Sequence, residues 1–167
     1  MTADDERPVL MPAHPTAADD DAGSCKEPGA AAPAGPVENL ARSVSAASPH
    51  ILDGLRRQVA DWATRAGLLT ARIQDLVLAV YEAMANVVAH AYNGHPGALD
   101  LHARRHGDTI TVTVTDRGTW RPAAVPAPDA LHGRGLPLIH TLADEATFTT
   151  SPAGTTVDLS WHCTALR

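Results

Sequence analysis

Apolar residues recur at helical spacing through residues 49–66 and 70–92, and at strand spacing through 98–116 and 145–163. In the first helical stretch Ile51, Leu52, Leu55, Val59 and Trp62 form one face. Ser48-Pro49 supplies its start and Gly67 its end. Thr70 is expected to cap the second helix. The core of that helix, residues 76–92, has no Pro, no Gly and one full charge. At about 100° per residue, Ile73, Leu76, Val77, Val80, Met84, Val87 and Ala91 share a face. Glu82, Asn86, His90 and Asn93 fall on the opposite one. Ala79, Ala83, Ala85 and Ala89 flank this polar stripe, where a solvent face would carry Lys, Arg and Glu. Small residues beside a few polar ones suit a pocket wall; a half-exposed helix with an ordinary surface Glu is the competing reading.

The strands carry polar residues where apolar ones are due. Residues 38–46 are expected to form an edge strand, followed after the helices by strands over 98–105 and 108–116 around His106-Gly107. Ile110, Val112 and Val114 alternate with threonines, and Asp116 continues the apolar row. A carboxylate there either has a partner that offsets its burial or merely initiates the turn before Gly118. Residues 145–151 and 155–163 form a closing hairpin around Ser151-Pro152-Ala153-Gly154, with Thr155 on the face of Val157, Leu159 and Trp161. That threonine either hydrogen-bonds inside the core or simply suits a strand. Between the hairpins, residues 117–135 contain three prolines and run into Gly133-Arg134-Gly135. A loop this long is often a lid. Glycines at the start of the short helix from Leu136 can offer free backbone N–H groups to phosphate, though most such pairs are turns.

Charge narrows the classes. Of the net −6, residues 1–36 hold −5, in an Ala-, Pro- and Asp-rich stretch without apolar periodicity. That stretch is expected to be a disordered acidic tail, with residues 37–167 as the folded domain. A near-neutral domain offers no field for nucleic acid or an anionic membrane, so neither is an expected partner. No apolar run is long enough to span a bilayer, and a cytoplasmic location is the expectation. Cys25 and Cys163 stand near opposite ends with no metal or disulfide spacing. The nine histidines make no zinc motif. Lys26 is the only lysine, which excludes a Walker-A loop in the domain.

Four boxes follow in order: Glu82-x-x-x-Asn86, Asp116-x-Gly118, Gly133-x-Gly135-Leu136 and Gly154-Thr155-Thr156. As an ordered set, over about residues 38–163, they resemble the GHKL-type ATP-binding domain shared by gyrase, Hsp90, histidine kinases and MutL. The run from Glu82 to Tyr92 is similar to the small serine kinases that act as bacterial anti-sigma factors. The segments 116–122 and 133–138 look like actinobacterial members. The resemblance implies an α+β fold: a two-layer α/β sandwich with a mostly antiparallel sheet and helices on one face. It implies ATP and Mg²⁺ as cofactors. Asn86 would hold Mg²⁺, Glu82 would be the general base, and Asp116 would accept a hydrogen bond from the adenine amino group. Thr155 would support the base, and Gly118 would let the backbone approach it. Gly133, Arg134, Gly135 and Leu136 would close over the phosphates. His90, Arg134 or Arg117 would supply positive charge there. Trp120 departs from the pattern, which usually has a second Gly at that point.

The implied function is an ATP-dependent protein serine kinase that is also an anti-sigma factor. It would bind a sigma factor and phosphorylate a STAS-type anti-anti-sigma protein. The resemblance also allows a homodimer. A non-catalytic ATP-binding switch and a detached histidine-kinase catalytic domain are the alternatives.

Overall fold

The computed structural model describes residues 37–119 and 135–163. The expected tail, residues 1–36, lies outside the described residues. An edge strand β1 (Leu40–Val44) leads into helices α1 (Pro49–Arg65) and α2 (Thr70–Asn86). Two strands follow, β2 (Leu99–His106) and β3 (Thr109–Asp116), then α3 (Gly135–Leu142) and the hairpin β4 (Glu145–Ser151) and β5 (Gly154–His162). The sheet order is β1-β2-β3-β5-β4, and every neighbouring pair is antiparallel. This is the expected α+β sandwich. Strand ends match the sequence reading to within a residue or two.

The period-2 pattern sets the core. Leu99, Leu101, Ala103, Ile110, Val112, Val114, Val157, Leu159 and Trp161 are buried on the helix-covered face. From the helices come Leu52, Leu55, Val59 and Trp62 of α1, and Leu76, Ala79, Val80, Ala83 and Met84 of α2. Ala79 and Ala83, read from sequence as flanks of a polar stripe, are therefore core: their small side chains let α2 sit close to its neighbours. Both tryptophans keep a partner for the indole N–H, Trp62 donating to the carbonyl of Glu38 and Trp161 to that of Leu142, each at 2.9 Å.

Two local expectations need correction. Thr70 does not cap α2. Leu69 stands at that position with extended ψ of 135°, and no side chain caps the helix. The carbonyl of Leu69 accepts from the amides of Arg72 and Ile73, so Thr70 is already inside the first turn. Nor does α2 run on with one period to Tyr92. Residues Val87–Ala91 form a π-helical turn. Its wider turn takes up one extra residue, so the 100° register ends at Asn86, and Tyr92 leaves helical geometry before Asn93. The chain then leaves through Asn93 and Gly94, both with positive φ.

One ion cluster ties the start of α2 to the far end of the sheet. Arg72 Nη2 lies 2.5 Å from Asp144 Oδ1. Asp144 Oδ2 accepts from the His162 amide at 2.8 Å and lies 3.2 Å from His162 Nδ1. Burial alone would push the Asp144 carboxyl up, but the His162 amide and the Arg72 guanidinium together hold it below its ordinary value. A carboxylate lowered in the fold stabilises it fully above the unfolded value of about 4, and that contribution is lost as pH falls through the lowered value. Urea unfolding of Asp144→Asn should therefore show reduced stability at pH 7, and a smaller loss than wild type as pH falls below about 4. Parallel pH dependences would refute the assignment.

Candidate functional site

The end of β3 carries the buried carboxylate. Asp116 is 5% exposed, on the inner face and opposite Leu99. Its Oδ1 accepts from the amide of Gly118 at 2.8 Å and from that of Thr155 at 3.4 Å. Among the described residues no hydrogen bond reaches Oδ2. Beside it Thr155 is 3% exposed, and its buried hydroxyl has no partner. The orphaned Thr155 hydroxyl is costly unless a ligand or water completes it, and the second Asp116 oxygen stands beside it.

A shallow recess joins these two to α2 and α3. Its lining is Ala83, Asn86, Val87, Ala91, Asp116, Leu136, Phe148, Thr155 and Val157. The mix of apolar walls with a few convergent polar groups is that of a small-molecule site. Two glycines make the close contacts possible. A Cβ on Gly118 would overlap the backbone carbonyl of Ala91. One on Gly154, at φ +133°, would overlap the carbonyl of Asp116. Glycine is required at both.

At the other end of the recess, Glu82 and Asn86 converge on the first turn of α3. A Cβ built on Gly135 would lie 3.3 Å from Glu82 Oε2 and 3.5 Å from Asn86 Oδ1 and Nδ2. A carboxylate, an amide and the free N–H groups of a helix start thus meet within one small volume.

Of the expected site residues, Glu82, Asn86, Asp116, Gly118, Gly135, Leu136 and Thr155 are brought together. His90, half-buried within the π-turn, is not among the residues lining the recess. Arg117 is turned to Asp100, with Nη2 2.5 Å from Oδ2. Gly133 and Arg134 lie outside the described residues, as does Trp120. Phe148, Val157 and Val87 were missed from sequence. Strand alternation placed Val157 inside but gave no sign that β4 and β5 close one end of a recess.

A two-layer α+β nucleotide-binding domain is the class that this sheet order, recess and buried carboxylate define. The chain belongs to the histidine kinase-like ATPase domain family, whose model matches residues 45–161, on the branch that holds the anti-sigma factor serine kinases. It is 32% identical over 113 positions to the serine-protein kinase RsbW of Listeria monocytogenes, covering 59% of this chain and 72% of that one. It is 35% identical over 74 positions to RsbW of Listeria innocua, covering 44% and 47% respectively. The crystal structure of the RsbU and RsbW domains of Rv1364c from Mycobacterium tuberculosis superposes with a TM-score of 0.57 at 25% identity. That match covers 74% of this chain and 32% of the other. The chain therefore spans under half of one Listeria relative and about a third of the mycobacterial protein. Among the described residues, no helix is long and apolar enough to cross a membrane.

Proposed function

We propose that this chain is an ATP-dependent protein serine kinase that also sequesters a sigma factor, with a STAS-type anti-anti-sigma protein as its phosphorylation substrate. The observation that carries the reading is a recess with an adenine-type acceptor at one end and the Asn86 amide at the other, where the Glu82 carboxylate approaches Gly135. The donor set fits ATP. Asp116 Oδ2 is a free anionic acceptor for an exocyclic amino group, and the Thr155 hydroxyl is unpartnered beside it. It also fits a hard divalent cation, since the Asn86 amide offers an oxygen donor. Mg²⁺, when bound, would neutralise phosphate charge.

In this reading Asn86 holds the cation and the first turn of α3 holds phosphate oxygens through its backbone N–H groups. Glu82 takes the proton from the attacking serine hydroxyl. It is well sited for that, because it approaches Gly135 at the start of α3 and also lines an open groove between α1 and α2. Asp53, Arg56, Gln74, Val77, Leu78 and Tyr81 line that groove, and Leu78 is 42% exposed. A substrate loop lying there reaches the carboxylate from the side away from the nucleotide. Positioning and charge neutralisation are what phosphoryl transfer chiefly needs. The N-terminal residues 1–36 are proposed to be a tail that takes no part in this chemistry, and a homodimer is compatible with the arrangement.

The test is incubation of the purified chain with γ-labelled ATP and each STAS protein of the same genome. Label on a serine of one of them is the expected result. ATP binding without transfer to any would leave a nucleotide-dependent switch in place of a kinase.

A further inference from the structure

The amides of residues 117, 118 and 119, directly after the buried carboxylate, are each held by a different group. Arg117 N donates to the Tyr92 hydroxyl at 2.9 Å. Gly118 N donates to Asp116 Oδ1, and Thr119 N to the carbonyl of Ala91 at 3.0 Å. Of the three acceptors, only the Tyr92 hydroxyl reaches in from outside the backbone and carboxylate that form the recess.

Tyr92 is itself fixed. Its hydroxyl donates to the carbonyl of Ala98 at 2.6 Å, and its ring lies so close to Gly97 that a Cβ there would overlap it. It also follows directly on the π-turn, so the phase of that turn decides where the hydroxyl arrives. The hydroxyl thus bridges the entry to β2 and the exit from β3. The Arg117 side chain, paired with Asp100, secures the same segment from the other side.

We propose that Tyr92 is a positioning residue for base selection. By anchoring the Arg117 amide it holds the Gly118 N–H against Asp116 Oδ1, and so aims Oδ2 at the base. The inference rests on the adenine role given above to Asp116. Tyr92 touches no nucleotide. Its effect passes through the carboxylate, and it should therefore change discrimination between bases more than overall binding.

Inosine triphosphate separates the two. Its C6 oxygen replaces the adenine amino group, so it offers Asp116 an acceptor instead of a donor, while its ribose and phosphates are those of ATP. Wild type, Tyr92→Phe and Asp116→Asn would be titrated calorimetrically with each nucleotide in the presence of Mg²⁺. Phe keeps the ring against Gly97 and removes only the hydroxyl. Wild type is expected to prefer ATP. Tyr92→Phe should lose about 2- to 10-fold in ATP affinity, the worth of one ordinary hydrogen bond, with a smaller change for inosine triphosphate. In the same variant the amides of 117–119 should exchange with solvent faster than in wild type, while those of β3 do not, which also establishes that the variant is folded. Equal losses for both nucleotides, or no loss for either, would overturn the positioning role. A wild type that binds ATP with no preference over inosine triphosphate would instead overturn the adenine role of Asp116 itself.

Discussion

Glu82→Ala should bind Mg·ATP as wild type does and transfer phosphate about 10²- to 10⁴-fold more slowly. The substitution shortens a half-buried side chain on α2 and leaves Asn86, Asp116 and the start of α3 unchanged. Its Oε2 is close to Gly135 and it lines the α1–α2 groove, so in the proposed arrangement it would stand between the phosphate end and the side from which a hydroxyl would come. Single-turnover transfer at saturating ATP, with calorimetry on the same preparation, separates chemistry from binding. Transfer at an undiminished rate would mean that orientation alone carries the reaction and that no base is used.

Asp116→Asn should weaken ATP binding by about 1.5–3 kcal/mol, or roughly ten- to a hundredfold. The argument is specific because Asn is the same shape. Its Oδ1 can still accept from the amides of Gly118 and Thr155, so the loop after β3 is kept. Only the outer position changes, from an anionic acceptor to an N–H₂ donor, which would meet another donor on the adenine. Thermal unfolding should therefore move little while affinity falls. A folded variant with wild-type ATP affinity would remove Asp116 from base recognition.

Much of this was legible from alternation. Alternation put Asp116 in the row of Ile110, Val112 and Val114 and Thr155 in that of Val157, but left open whether either does more than suit a turn or a strand; both are buried. Glu82 and Asn86, four residues apart, were placed together correctly because α2 is regular up to Asn86. The turn that follows was not legible. A π-turn is not written in hydrophobic periodicity, since Val87, Val88, Ala89 and Ala91 would sit in an α-helix equally well. Thr70 is a suitable capping residue that lies one position inside the helix, an error of the size expected at any helix end. The recess walls from β4 and β5 needed the sheet order. Phe148 meets Asn86 across an opening that depends on how β5 is inserted between β3 and β4.

The π-turn gives the segment 82–92 the character of a gauge. Its upstream half carries Glu82 and Asn86 toward the proposed phosphate end. Its downstream half sends the Ala91 carbonyl and the Tyr92 hydroxyl to the backbone around the base acceptor. Both ends of one ligand are thus measured off along a single rod, over a rise on the order of 12 Å. The extra residue sets the rotation between the two scales. Were the same residues an α-helix throughout, Ala91 and Tyr92 would be turned by roughly 100° relative to Glu82. Both halves would still be helical, yet they would be calibrated to different objects.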